Sequence, residues 1–270
     1  CDARTAMTKL ISFTPANMGT GRPTIQGDVT VFDVASGERP LILDGPTVTA
    51  RRTAAVSALA ARWLAPNLSG PMLIVGAGVQ GQAHIEVFAA ALGVTQFRIA
   101  SRRRGSAEAL AEHARVLGLQ AEVVDDADAA LADCRLAATC TPAGEVVLRA
   151  APRADAFIAA VGAFTPQMVE IDADLCRRIA AQGRIVVDSR DAGHEAGDLL
   201  QAGLDVDAMP ALADIVRAQQ KARAEGGQAG GAAAHAGQQG PPDGLRRGRW
   251  HGGAARGRGW RIRVRARCRQ

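Results

Sequence analysis

Met72-Leu73-Ile74-Val75-Gly76-Ala77-Gly78-Val79-Gln80-Gly81 is the stretch from which the fold follows. Its four apolar residues predict a buried strand, and the glycines at 76, 78 and 81 spell G-x-G-x-x-G. Gln82 to Phe88 then opens a helix-compatible run. In that order Gly76 allows a tight turn out of the strand, and Gly78 lets a pyrophosphate approach the backbone. Gly81 lets the helix lie close to the sheet with its free N–H groups aimed at phosphate. In a chain with 30 Gly the pattern alone is weak. Strand–loop–helix context makes dinucleotide binding the reading, against a bland tight turn.

Downstream the pattern repeats as βα units. Strands are expected at Gln96–Ala100, Ala121–Val124, Leu136–Thr139, Ala156–Val161 and Arg184–Asp188. Helices are expected from Ser106 to about Leu117 and around Glu195–Ala202. The fold class is therefore α/β, with a Rossmann-type parallel sheet over residues 71–217. Asp125-Asp126-Ala127-Asp128 reads as a solvated helix start. Upstream, strands at 6–14, 24–34 and 40–43 form a meander, and a helix runs from about Val48 to Ala65. Residues 1–70 thus make a meander able to form one wall of a small, mainly β domain, with a connecting helix. That helix would bring Arg52 to the interdomain cleft, where ligands commonly bind; the plainer reading is that Arg51 and Arg52 cover its surface.

Composition narrows the function. The 47% hydrophobic content supports a core, and no apolar run approaches the ~18–20 residues of a membrane span. Five cysteines, odd in number and without C-x-x-C, fit a reducing cytoplasm. Five histidines without H-x-x-x-H spacing give a metal site no support. There is no G-x-S-x-G elbow. The net charge of +5 belongs to the tail: residues 221–270 carry twelve basic residues against Glu225 and Asp243, leaving 20 basic and 25 acidic over 1–220. Within 1–220 the basic residues are nineteen Arg and a single Lys, Lys9. A compact ammonium with a readily shifted pKa can hold a carboxylate and also pass a proton; the plainer reading is a stray surface lysine.

The end of the second strand of the sheet points to the cofactor. Where an NAD site places an acid for the ribose 2′-hydroxyl, this chain has Ser101-Arg102-Arg103-Arg104. A hydroxyl and guanidinium groups suit a 2′-phosphate, so NADPH is expected, with NADH as the lesser possibility. The plainer alternative is an exposed basic turn.

Over about residues 5–217 the chain resembles the ornithine cyclodeaminase/μ-crystallin family. The resemblance rests on Lys9, Pro23-Thr24-Ile25-Gln26-Gly27, Leu43-Asp44-Gly45 and Arg52-Thr53-Ala54-Ala55, in that order. The Val75–Gly81 turn, Ser101-Arg102 and Thr139-Cys140-Thr141-Pro142 complete it. It implies a homodimer in which residues 1–70 are a partial, mainly β substrate/dimerisation domain and Lys9 and Arg52 hold the substrate carboxylate. Thr24 would approach the cofactor, and Gly76, Gly78, Val79, Gln80 and Gly81 would face the pyrophosphate. Ser101, Arg102 and Arg103 would take the 2′-phosphate. Thr139 or Thr141, with Val161, Gly162, Ala163 and Phe164, would line the nicotinamide side. Cyclodeaminases of the family carry Asp where Phe164 stands. The Val161-Gly162-Ala163-Phe164-Thr165-Pro166-Gln167-Met168-Val169-Glu170 form is similar to the subgroup reducing Δ1-pyrroline-2-carboxylate and Δ1-piperideine-2-carboxylate to proline and pipecolate. The alternatives are an ornithine cyclodeaminase or alanine-dehydrogenase-like enzyme, or a non-catalytic, crystallin-like NADPH binder.

Two departures from the family bear on this polypeptide. Its opening helix and strands are missing before Cys1, which reads as a fragment boundary. Its returning C-terminal segment is replaced by residues 218–270, where Arg and Gly dominate and few large aliphatics occur. Such a tail is expected to be disordered, and sequence read out of frame explains it better than a nucleic-acid-binding arm. The chain as given is accordingly expected to be a poor enzyme, with an inactive truncated protein as the alternative. Reading the coding DNA in every frame beyond codon 217 tests this: recovery of the returning segment marks the tail as frame-shifted, and its absence leaves the tail genuine.

Overall fold

A computed structural model describes residues 4–17, 20–142, 144–228 and 261–264. The chain opens with β1 (Thr5–Phe13), β2 (Ile25–Asp33) and β3 (Leu41–Asp44), an antiparallel meander in which Lys9 lies opposite Val29. The turn after β2 is built by Asp33, whose Oδ1 accepts from the backbone N–H groups of Ala35 and Ser36. Helix α1 (Gly45–Leu64) follows at once. It begins three residues before the expected Val48 because Asp44 caps it, accepting from the Thr47 N–H at 2.7 Å, with Pro46 in the first turn.

The second unit comprises β4 (Met72–Val75), α2 (Val79–Leu92), β5 (Gln96–Ala100), α3 (Arg104–Val116), β6 (Gln120–Val123), α4 (Ala127–Leu131) and β7 (Leu136–Thr139). It continues with β8 (Gly144–Leu148), β9 (Phe157–Ala160), β10 (Val169–Ile171), α5 (Ala173–Gln182), β11 (Arg184–Val187), α6 (Gly197–Gln201), α7 (Leu212–Gln228) and β12 (Arg261–Val264). The main sheet has the order β11-β12-β9-β7-β4-β5-β6 and all its pairings are parallel. Strand order reverses beside β4, with β5 and β6 to one side and β7 and β9 to the other, which is the doubly wound arrangement expected.

Both faces of the sheet are covered, so successive strand residues enter different cores. Leu73, Val75, Ala137 and Ile158 join Leu131, Leu175, Ile179 and Leu199 on one side. Met72, Ile74, Leu136 and Phe157 join Leu64, Ile85, Phe88 and Leu110 on the other. Helix α1 lies in this second layer. Its Thr49 and Thr53 hydroxyls each donate to a carbonyl four residues back, which satisfies them inside the α1–α2 contact.

Two differences from the sequence reading stand out. The parallel pair β8–β10 and helix α5 were not anticipated, because strands of three to five residues carry little periodicity. The acidic run is engaged as well as solvated. Asp126 caps α4, Asp128 accepts from the Arg149 and Ala150 N–H groups, and Asp125 pairs with Arg104. Of residues 218–270, expected from sequence to be disordered, α7 extends through Gln228 and Arg261–Val264 lies as a strand between β9 and β11. Two parallel strands separated by one strand's width present unpaired N–H and C=O groups, and an extended Ile262/Val264 alternation can pair with them. The rest of that expectation falls outside the described residues.

Phe88, fully buried on α2 and stacked on His84 with ring centroids 6.0 Å apart, anchors the helix to the sheet. Phe88→Ala is expected to lower unfolding free energy by about 3–5 kcal/mol in reversible denaturation.

Candidate functional site

The G-x-G-x-x-G turn is held by backbone crossings. Gly76 has φ 111°, and a Cβ there would lie 2.5 Å from the Cys140 carbonyl oxygen. At Gly81 a Cβ would collide with the Gly76 carbonyl. Gly78 is different: it caps α2 with extended backbone, and a Cβ would meet nothing within 4 Å. No side chain caps α2, so its first-turn N–H groups remain for an anion. The empty cradle at Gly78 and the uncapped helix start fit a dinucleotide pyrophosphate.

A cavity of about 600 Å³ lies beside this turn. One wall is the face of β1 that carries Met7, Lys9, Ile11 and Phe13, alternate residues of a strand, together with Ile25 and Val29 of β2. Val48, Thr49 and Arg52 come from one side of α1. The other wall comes from the carboxyl ends of the central strands, with Gln80, Cys140, Thr141, Val161, Gly162 and Phe164. Phe13 and Phe164 meet edge to face across it, with centroids 6.0 Å apart. The cavity thus sits where a doubly wound sheet binds its ligands.

Lys9 and Arg52, far apart in sequence, share this cavity. The Arg52 Nε is buried without a hydrogen-bond partner, as is the Gln80 Oε1. A buried guanidinium N–H lacking an acceptor costs about 1–3 kcal/mol until something accepts from it, and a carboxylate does so well. His84 ties the two helices behind the cavity. Its Nδ1–H donates to the Gln80 carbonyl at 2.7 Å, leaving Nε2 to accept from the Ser57 hydroxyl at 3.0 Å.

Other expected residues fall around the cavity. Thr24 precedes the lining residue Ile25, and its carbonyl accepts from the Thr14 N–H. Ser101 follows β5. Arg104 is committed to Glu108 and Asp125, whereas Arg102 is highly exposed and only 3.9 Å from Glu145. Arg103 forms no ion pair among the described residues. Ala163 is buried. Thr139, also buried, does not line the cavity, and its hydroxyl donates to Glu170.

Sequence reasoning assigned no role to Glu170, Asp198 or Phe13. Glu170 is fully buried on β10 and accepts from the Thr139 and Thr141 hydroxyls and the Thr141 and Gly162 N–H groups, at 2.6–2.7 Å. Asp198 stands behind it, accepting from the Glu170 and Ile171 N–H groups. Burial pushes both carboxyls above the usual range, and the donors around each pull the other way. The alternation Met7, Lys9, Ile11, Phe13 was a signal that could have found Phe13. Glu170 closes the Val161–Glu170 motif, but its role was not legible there, because its partners lie 8 to 31 residues away. Burial also raises the Cys134 and Cys176 thiols, to about 11 and about 12, so both are inert core groups.

The two glycine environments separate fold from binding. Gly81→Ala should destabilise the chain by about 1–3 kcal/mol through the collision with Gly76. Gly78→Ala should leave unfolding unchanged but weaken nicotinamide dinucleotide binding at least ~10-fold, measured by fluorescence titration.

Comparison with known proteins accords with this geometry. The family described as "Ornithine cyclodeaminase/mu-crystallin family" matches residues 2–229. The chain is 38% identical over 210 residues to Delta(1)-pyrroline-2-carboxylate reductase 2 of Burkholderia ambifaria, covering 77% of this chain and 66% of that protein. It is 35% identical over 224 residues to the ketimine reductase mu-crystallin of Mus musculus, covering 81% and 67%. The chain therefore spans about two thirds of the length of the curated relatives it matches. Among solved structures it shares the fold of Thermococcus litoralis Delta(1)-pyrroline-2-carboxylate reductase, determined in complex with NADH and L-proline. That match has a TM-score of 0.74 at 21% identity, covering 96% of this chain and 72% of the other. With motif order, fold and family match in agreement, the chain belongs to the ornithine cyclodeaminase/mu-crystallin family.

Proposed function

We propose that this chain binds NADPH at the Gly76–Gly81 turn and reduces a cyclic ketimine carboxylate, Δ1-pyrroline-2-carboxylate or Δ1-piperideine-2-carboxylate, to L-proline or L-pipecolate. The observation that carries this reading is the make-up of the cavity. Lys9 and Arg52 supply positive charge, the remaining wall is largely apolar, and no acidic side chain lines it among the described residues. Such a cavity suits a small apolar ring bearing one carboxylate. It offers no carboxylate to take a proton from a substrate amine, as deamination of ornithine requires.

The bound dinucleotide would supply hydride to C2 of the C=N bond. Lys9 and Arg52 would hold the carboxylate and so fix C2, a positioning contribution. Phe13 and Phe164 would exclude water. A cyclic ketimine is readily protonated near neutral pH, so little acid catalysis is needed, and Lys9 is the proposed donor for what remains. For the cofactor, the Val79 and Gln80 backbone would face the pyrophosphate, Ser101, Arg102 and Arg103 the 2′-phosphate, and Thr141 with Val161–Phe164 the nicotinamide. NADPH is favoured over NADH because Arg102 and Arg103 are the arginines of this turn not held by close carboxylates. On this reading residues 1–70 serve substrate binding and dimerisation and 71–217 the cofactor. The outer face of the meander, where Leu10 and Ile42 are exposed, fits a homodimer contact. A cytoplasmic location accompanies the reading; among the described residues no helix is long and apolar enough to cross a membrane.

The test follows NADPH oxidation with both imines, and assays ornithine and L-alanine in parallel. Turnover of the imines alone is expected, at a slow rate in keeping with the departures at both ends of the chain. Lys9→Ala or Arg52→Ala should lower kcat/KM by about 10- to 150-fold, the worth of a hydrogen bond to a charged group. Ornithine turnover, or cofactor binding without imine reduction, would overturn the reading. Lys9→Arg keeps the charge; full turnover by that variant across pH would leave Lys9 a binding role only.

A further inference from the structure

Two loops form the part of the cavity wall nearest the sheet, and they leave from adjacent parallel strands. Thr141 follows β7, and Gly162 follows β9. Between them the Glu170 carboxylate is wedged. Its Oε1 accepts from the Thr141 N–H and Thr141 Oγ1, both at 2.7 Å. Its Oε2 accepts from the Gly162 N–H at 2.6 Å and from Thr139 Oγ1 at 2.7 Å. A Cβ at Gly162 would strike both the Thr141 carbonyl and this carboxylate, so the loops are already in contact. Each carboxylate oxygen serves one backbone N–H, and a backbone N–H can only donate. An amide in place of the carboxylate would turn its NH2 toward one of those N–H groups, and a shorter side chain would not span both loops. Behind, Asp198 Oδ1 holds the Glu170 and Ile171 N–H groups at 2.6 and 2.9 Å, which fixes where the carboxylate is delivered. Glu170 itself does not line the cavity.

We propose that Glu170 is the positioning residue of this site: its carboxylate clamps the Thr141 loop to the Gly162 loop and sets the wall against which substrate and nicotinamide are aligned. The clamp stands on the geometry, and its effect on turnover rests on the imine-reductase reading above. It acts through other groups, so it governs rate more than affinity. It also uses the hydroxyl protons of Thr139 and Thr141, so neither threonine has a hydrogen to give a bound molecule. Thr139 is thereby a support for the wall rather than a cofactor contact.

The test compares the full chain with Glu170→Gln and Thr139→Val. Amide hydrogen exchange is read at 139–142 and 160–164 against the strand at 72–75, beside NADPH affinity and steady-state kinetics with both imines. In Glu170→Gln the two loops should exchange at least ~10-fold faster while residues 72–75 are unchanged. Its kcat should fall about 10- to 100-fold, with KM and NADPH affinity within about threefold. Thr139→Val, which removes one of the four donors and keeps both backbone bonds, should move the same readouts in the same direction by a smaller factor, and it decides the matter if Glu170→Gln does not fold. Unchanged loop exchange, or a fall confined to melting temperature with kcat intact, would overturn the proposal. If the unmutated chain binds NADPH but reduces neither imine, the reductase reading fails and loop exchange alone judges the clamp.

Discussion

The crossing of three backbone segments at Gly76 is the constraint on which the rest of this structure depends. The Cys140 carbonyl passes where a side chain at 76 would stand, and the Gly76 carbonyl passes where one at 81 would stand. The Gly76 N–H donates to Ala100 and the Cys140 N–H donates to Val75, so β4, β5 and β7 are tied at their carboxyl ends by the residues that turn the chain. That tie brings the start of α2 and the loop after β7 to one place. The cavity opens there because the sheet changes direction beside β4, and the loops on its two sides diverge.

The second wall depends on a different device. The meander is small and lies on one side of α1, a helix that belongs to both units. Its Thr49 and Thr53 hydroxyls are satisfied along the helix itself, which allows Ala50 and Ala54 to lie against Ala83 of α2. Close approach of the two helices brings Arg52 over the cavity. Lys9 arrives independently, through the β1–β2 register that sets it opposite Val29. Two cations from separate elements line one cavity, and no acidic side chain lines it among the described residues.

Buried carboxyls complete the arrangement from behind. Glu170 and Asp198 lie out of water, where an unpaired charge would be costly. For Glu170 two backbone and two hydroxyl donors offset the cost; Asp198 has two backbone donors on Oδ1, while its Oδ2 is buried without a partner among the described residues. The same exchange leaves the loops after β7 and β9 with a single relative position. A cavity wall made of loops is thereby as well defined as one made of strands.

The amino-acid sequence by itself determined the strands β4, β5 and β7, because a fully buried parallel strand must be apolar throughout and is bounded by turn residues. It also determined the strand–turn–helix glycines, since each stands where a Cβ has either no room or a ligand's room. Motif order identified the family, and the resemblance singled out Lys9, Arg52 and Phe164, which the fold brings to one cavity. Other features belong to the tertiary structure alone. The start of α1 waited on a cap from Asp44, and the β8–β10 pair on two segments too short to carry a period. The strand at Arg261–Val264 depends on a slot between β9 and β11 that no local pattern announces. Phe13 and Glu170 became site residues only when the chain folded. Hydrogen bonds and ring contacts between distant segments depend on spacing in three dimensions, and nothing in local composition encodes that spacing.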